Sequence, residues 1–141
     1  MIAIASDHGG FALKAELNAH LDKRGIEYMD FGSYDEESCD YPDYAARAVK
    51  AVLDGQCEKA ILICGTGIGM SIAANKYPGI RAALCGDCFS AKATREHNNS
   101  NVLCLGARVT GPSLALMIAD IFLDTPFSED PRHVRRISKI E

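Results

Sequence analysis

Tryptophan is absent from the chain, and aromatic residues together make up only 7% of its 141 positions. Its interior therefore has to be filled by aliphatic side chains. No stretch approaches the roughly 18 consecutive apolar residues of a membrane-spanning helix, and the first ten residues, MIAIASDHGG, lack the basic segment and long apolar run of a secretory leader. The expectation from these features is a cytosolic protein. Basic residues do not outnumber acidic ones either. A net charge of −4 gives no general attraction to nucleic acid or anionic bilayers, so any anionic ligand must be held locally. Repeats, linkers and low-complexity segments are missing as well.

What is present is an ordinary globular composition, 48% hydrophobic and 24% charged. The length suits a single domain, 1–141, able to bury well over half of its unfolded surface. Six cysteines, at 39, 57, 64, 85, 88 and 104, raise the idea of a disulfide framework. Several lie in apolar, strand-like runs, and a chain this long needs no staples, so reduced thiols are expected.

Turn signals divide the chain into alternating pieces. MIAIAS (1–6) predicts a buried strand, FALKAELNAHLDKR (11–24) has apolar residues at helical spacing before Gly25 as a C-terminal cap, and IEYMDF (26–31) predicts a second strand. Asp40 is placed to cap a helix from about Tyr41 to Asp54, with Gly55 as its stop. KAILIC (59–64), IRAALC (80–85) and NVLCLG (101–106) complete five strands, with a short helix near 68–76 and another over 88–97. Pro112 opens a helix, LALMIADIFLD, apolar nearly all round and expected to be largely buried. The remainder, PFSEDPRHVRRISKIE, is a charged tail ending in a last helix. The alternation predicts an α/β sandwich, a parallel sheet with helices on both faces.

In such folds ligands sit at the carboxyl ends of the strands. The connections on that edge carry Asp7 and His8, Cys64 to Gly69, Gly86 and Asp87, and Arg108. In ICGTGIGM (63–70), Gly65, Gly67 and Gly69 remove side chains where the backbone turns into a helix, leaving N–H groups free to face an anion or a developing oxyanion. A thiol beside a helix N-terminus has its thiolate favoured. Cys64 is thus a candidate base, with a buried core cysteine as the plain alternative. The loop lacks the Gly-Lys-Ser/Thr ending of a Walker motif and the spacing of a dinucleotide fingerprint.

His8 lies in a strand-to-helix turn before two glycines. His97, in EHNNSN, is suited to exchange protons with a sugar oxygen, or simply to complement the end of its helix. His97 and Asn98 project from the opposite edge of their own subunit, so they can reach a strand-end site only across an interface. His20 reads as a surface residue. Arg132 and Arg136, at i and i+4, share a helical face and suit a phosphate, or else belong to a solvated tail. The CGDC segment (85–88) is a weak metal or redox signal and reads as packing.

At this point the chain resembles the ribose-5-phosphate isomerase B family, which includes galactose-6-phosphate and allose-6-phosphate isomerases. The likeness runs through SDHGGFALK (6–14), DYPDYA (40–45), ILICGTGIGMSIAANK (61–76), GIRAAL (79–84), REHNNSNVLCLGARV (95–109) and RHVRR (132–136). The resemblance implies a Rossmann-like three-layer sandwich with five parallel strands. It implies Cys64 as the base that moves a proton between C2 and C1 of an open-chain sugar phosphate, with the backbone of Gly65, Gly67, Ile68 and Gly69 holding the enediolate oxygens. His97 with Thr66 would assist ring opening, Asp7 would contact sugar hydroxyls, and His8, Arg108, Arg132 and Arg136 would gather the phosphate, with Asn98 nearby.

One branch of that family carries a glutamate base where this chain has Met70, so the chain resembles the cysteine-type branch. No metal or cofactor is implied. A homodimer or tetramer is, with sites at the subunit interface and the tail from about 125 to 141 reaching the partner. The leading expectation is interconversion of ribose 5-phosphate and ribulose 5-phosphate. A six-carbon sugar-phosphate isomerase stands beside it, and a non-enzymatic phosphate sensor or a thiol redox or metal protein stands further off. The loops at 86–89 and 32–39 are where substrate length would be set.

Overall fold

All residues from 1 to 141 are described by a computed structural model. The five strands are β1 (Ile2–Ser6), β2 (Tyr28–Asp30), β3 (Lys59–Cys64), β4 (Ala82–Leu84) and β5 (Val102–Gly106). They form one sheet in the order β2, β1, β3, β5, β4, with every neighbouring pair parallel. The edge strands β2 and β4 run only three residues each, shorter than their apolar runs suggest, because an edge strand is paired on one side alone. Six helices cover the sheet: α1 (Phe11–Arg24), α2 (Tyr41–Leu53), α3 (Ile68–Ala74), α4 (Cys88–Asn98), α5 (Pro112–Asp124) and α6 (Pro131–Ile140).

Successive residues of a strand point to opposite faces, and the core divides accordingly. Ile4, Ile61, Ile63, Leu103 and Leu105 pack against Leu13, Leu17 and Leu21 of α1 and Ile118 and Phe122 of α5. On the other face, Ala3, Ala5, Ala60 and Leu62 meet Ala45, Ala48 and Val49 of α2 and Met70 and Ala74 of α3. Aliphatic side chains fill most of both layers, with Phe122 a fully buried aromatic among them.

Three local readings change. Asp40 precedes α2 but its side chain caps nothing. Pro42 takes away one donor that a capping carboxylate would use, and the N–H of Asp43 bonds to the Asp40 backbone carbonyl instead. α5 buries Ala115, Ile118, Ala119 and Phe122 but leaves Leu114 and Met117 exposed, because only one side of it meets the sheet and α4. His20 is not an idle surface group. Its Nε2 lies 2.8 Å from Asp120, which also accepts from Arg24 at 2.7 Å, tying α1 to α5.

All six cysteines are free. Burial pushes the Cys57 thiol up, and Cys85 up to about 11, with Asp87 adding to the latter shift. Cys104, wholly buried in β5, is raised further by the same cause.

Candidate active site

From β1 the sheet grows outward to β2, and from β3 it grows the other way through β5 to β4. The carboxyl ends of β1 and β3 therefore flank the point where strand order reverses. Asp7 and His8 leave β1 there. The Asp7 N–H donates to the Ile63 carbonyl at 3.2 Å, and its Oδ1 accepts from the N–H of Gly10 at 3.1 Å. Gly10 has to be glycine, since a Cβ on it would stand 2.5 Å from the Ile63 carbonyl oxygen. His8 Nδ1 accepts from the backbone N–H of Cys39 at 3.3 Å, which leaves Nε2 as the nitrogen that faces away from the loop donor.

Cys64 ends β3 and is 5% exposed. Its sulfur accepts a hydrogen bond from the N–H of Gly67 at 3.1 Å. Gly67 holds a left-handed conformation (φ 79°), and α3 starts at the next residue. The loop is clasped to the β5 connection: Ala107 and Arg108 donate to the carbonyls of Cys64 and Gly65, both at 2.9 Å. The N–H groups of Gly65 and Thr66 have no acceptor within the chain. Thr66 is exposed, and its Oγ1 accepts from the N–H of Ile68 at 3.2 Å. A Cβ on Gly65 would stand 3.2 Å from Arg108 Nη1, and one on Gly9 would stand 3.4 Å from Asp7 Oδ1 and 3.5 Å from Arg108 Nη2. Arg108 joins none of the chain's ion pairs. The structure thus brings together Asp7, His8, Cys64 to Gly69 and Arg108.

Two neighbours of this cluster were not singled out by sequence reasoning. The Tyr41 ring covers Gly69, where a Cβ would meet it at 2.7 Å, and Cys39 orients His8 through its backbone. Tyr41 opens α2 and Cys39 ends the loop before it; DYPDYA (40–45) and the 32–39 loop were the only sequence signals near them.

The other expected residues lie elsewhere. α4 begins beside β4's carboxyl end, where Asp87 caps it by accepting from the Ser90 N–H at 2.6 Å. Those Ser90 donors hold the Asp87 carboxyl below its usual range. The helix then runs back about 16 Å, at 1.5 Å per residue, to deliver His97 and Asn98 at the opposite edge. There α6 returns across it. Ser128 donates to the Glu96 carbonyl, and the His133 ring stacks on His97 with centroids 4.5 Å apart. Arg132 pairs with Asp130 at 2.9 Å, an interaction that holds the Asp130 carboxyl at about 2, while Arg136 is exposed and unpaired. His133 was missed because it reads as one more polar residue in a basic helix.

Comparison with known proteins addresses what such a divided site serves. Residues 2–140 match the family described as Ribose/Galactose Isomerase. The chain is 49% identical over 139 residues to the ribose-5-phosphate isomerase B of Escherichia coli, covering 99% of this chain and 93% of that one. The chain belongs to the ribose/galactose isomerase family. Among solved structures, a ribose 5-phosphate isomerase from Thermotoga maritima superposes with a TM-score of 0.96 at 54% identity, covering 99% of this chain and 95% of the other. A D-erythrulose-4-phosphate isomerase of Pectobacterium atrosepticum is 46% identical over 128 residues, 89% of this chain and 84% of that protein. This protein is a sugar-phosphate isomerase, and no helix in it is long and apolar enough to cross a membrane.

For an isomerase the division has a chemical meaning. The cavity beside Thr66, lined by Ile68, Leu84 and Val109, is about 280 Å³. The largest cavity, about 590 Å³, lies at the opposite edge and is lined by Asn98, Arg81 and Glu141. Cys64, at the carboxyl end of β3, and His97, near the far end of α4, therefore stand at opposite edges of one chain.

Proposed function

We propose that the protein interconverts D-ribose 5-phosphate and D-ribulose 5-phosphate through an enediolate, as a cytoplasmic homo-oligomer whose sites are completed across the subunit interface. The observation that carries this reading is Cys64 at the end of β3 with an N–H donor 3.1 Å from its sulfur and the open N–H groups of Gly65 and Thr66 beside it. As a thiolate, Cys64 takes the proton from C2 of the open-chain aldose. The C2–H electrons form the C1=C2 bond, the C1 carbonyl oxygen becomes the oxyanion, and the loop N–H groups stabilise it. Returning the proton to C1, with the O2 hydroxyl proton passing to O1, leaves the ketose.

Asp7 holds sugar hydroxyls, and His8 and Arg108 hold the phosphate. A second copy of the chain supplies His97 and Asn98, and its α6 supplies Arg132 and Arg136. Two antiparallel copies bring the opposite edges together, which a single chain cannot do. Thr66 assists His97 in opening the furanose.

The name of the Pectobacterium relative favours a second reading, a sugar phosphate of another length. Initial rates with ribose 5-phosphate, allose 6-phosphate, galactose 6-phosphate and erythrulose 4-phosphate, measured with a chelator present, test both. The highest kcat/KM is expected for ribose 5-phosphate. A preference for another sugar keeps the chemistry and changes the substrate, and no turnover of any of them refutes the proposal.

A further inference from the structure

The turn that follows His97 is held by two guanidinium groups to which the reaction chemistry gives no role. α4 ends at Asn98, and Asn99 takes the left-handed conformation (φ 46°), leaving the last carbonyls of the helix to be satisfied from outside. Arg81, just before β4, donates from Nε to the Asn98 carbonyl and from Nη2 to the Asn99 carbonyl, both at 2.9 Å, and its Nη1 pairs with Glu141. Arg95, in the same last turns of α4 and only 6% exposed, donates from Nη1 to Asn99 Oδ1 at 2.9 Å and to the Ser100 carbonyl at 2.6 Å. Its Nε reaches the Thr125 carbonyl, beyond α5, at 3.0 Å. By contrast, α1 ends on Gly25 through backbone hydrogen bonds alone.

Burial and the nearby charge of Arg81 both lower the Arg95 pKa. Placing two cations on one short turn therefore works against solvation and like-charge repulsion, and the carbonyl end of the helix offsets that. Such a turn has little freedom. Its rigidity fixes the residues on either side of it.

We propose that Arg81 and Arg95 are positioning residues for ring opening: they lock the last turn of α4 and so aim His97 and Asn98 at the sugar bound by a second copy. This inference rests on the reading of His97 as the ring-opening group, and its test separates the two. Arg81 is the residue to change, because it is 19% exposed, whereas losing Arg95 would strip three acceptors of their donor, the Ser100 carbonyl among them buried. The full-length protein is compared as Arg81→Met, His97→Asn and the double variant. Each is assayed from ribose 5-phosphate, whose furanose must open, and from ribulose 5-phosphate, whose ring-closing hydroxyl carries the phosphate.

Arg81→Met is expected to lower kcat from ribose 5-phosphate by about 10²-fold, the loss that a misplacement of about 1 Å brings. The rate from ribulose 5-phosphate should stay within about threefold, and the double variant should be no slower than His97→Asn alone. Equal losses from both sugars, or losses that multiply in the double variant, would mean that Arg81 acts through stability or assembly and would overturn the proposal. A His97→Asn variant as fast as the parent would instead remove the reading on which the proposal rests.

Discussion

Gly67→Ala tests the glycine loop most directly. Gly67 has φ 79°, a conformation that an alanine adopts at a cost of about 1–2 kcal/mol. The added Cβ would stand 2.5 Å from Leu84 Cδ1 and 2.9 Å from the Leu105 carbonyl carbon. Leu84 is an exposed side chain and can swing away. Leu105 is backbone in β5, held between β3 and β4, and cannot. Ordinary contact begins at 3.4 Å, so the loop has to retreat by 3.4 − 2.9 = 0.5 Å. That retreat withdraws the Gly67 N–H from the Cys64 sulfur.

Overpacking of this kind adds about 1–2 kcal/mol, for a total of roughly 2–4 kcal/mol. For a chain of this size that corresponds to a fall in Tm of roughly 6–12 °C. Loss of a preorganised donor should reduce kcat by about 10²–10³. Gly25→Ala is the control: its φ is 70°, but no atom lies within 4 Å of the new Cβ. It should show the conformational cost alone and keep full activity. The reasoning fails if both variants melt together and Gly67→Ala turns over substrate at the parent rate.

Four other outcomes follow from the same geometry. Cys64→Ala should bind substrate yet lose about 10³ in kcat, as removal of an essential base does; isotope exchange at C2 in the variant would show that another group moves the proton. Arg136→Ala should raise KM with little change in kcat, read from saturation curves at low salt. Lys14, 2% exposed, donates to Asp30 at 2.6 Å and to the Ser33 carbonyl. Lys14→Met removes that carboxylate's counter-ion, leaving it the Asn18 amide and the Gly32 N–H, and should cost about 2–3 kcal/mol by urea unfolding. Finally, Arg132 holds the Asp130 carboxyl at about 2. A depressed carboxyl stabilises the fold above its ordinary value and loses that contribution as pH falls toward 2. The difference between wild type and Asp130→Asn in unfolding midpoint should thus be present near pH 6 and shrink steadily as pH falls toward 2.

Much of the fold was legible because its signals are local. Apolar runs of strand length, helical spacing between them and glycines at Gly25 and Gly55 follow from the backbone preferences of a few adjacent residues. The grouping of Asp7, Cys64 and Arg108 was equally accessible, since a parallel sheet sends every strand's carboxyl end to one edge. The misreadings arose where a local signal met a distant competitor. Asp40 has the residue type of a cap, yet Pro42 removes a donor. LALMIADIFLD is apolar enough for full burial, but its surroundings cover one side only.

The sequence by itself determined the alternation of elements, the edge that bears Cys64, and the glycine demand of ICGTGIGM, because each depends on residue types at short separation. Tertiary structure alone decided the rest. It brought the Tyr41 ring onto Gly69, the Cys39 N–H onto His8, His133 onto His97, and Arg81 onto the end of α4. Those contacts join residues between 17 and 36 positions apart. No local preference encodes them, since their partners meet only after the sheet has set the distances between its helices.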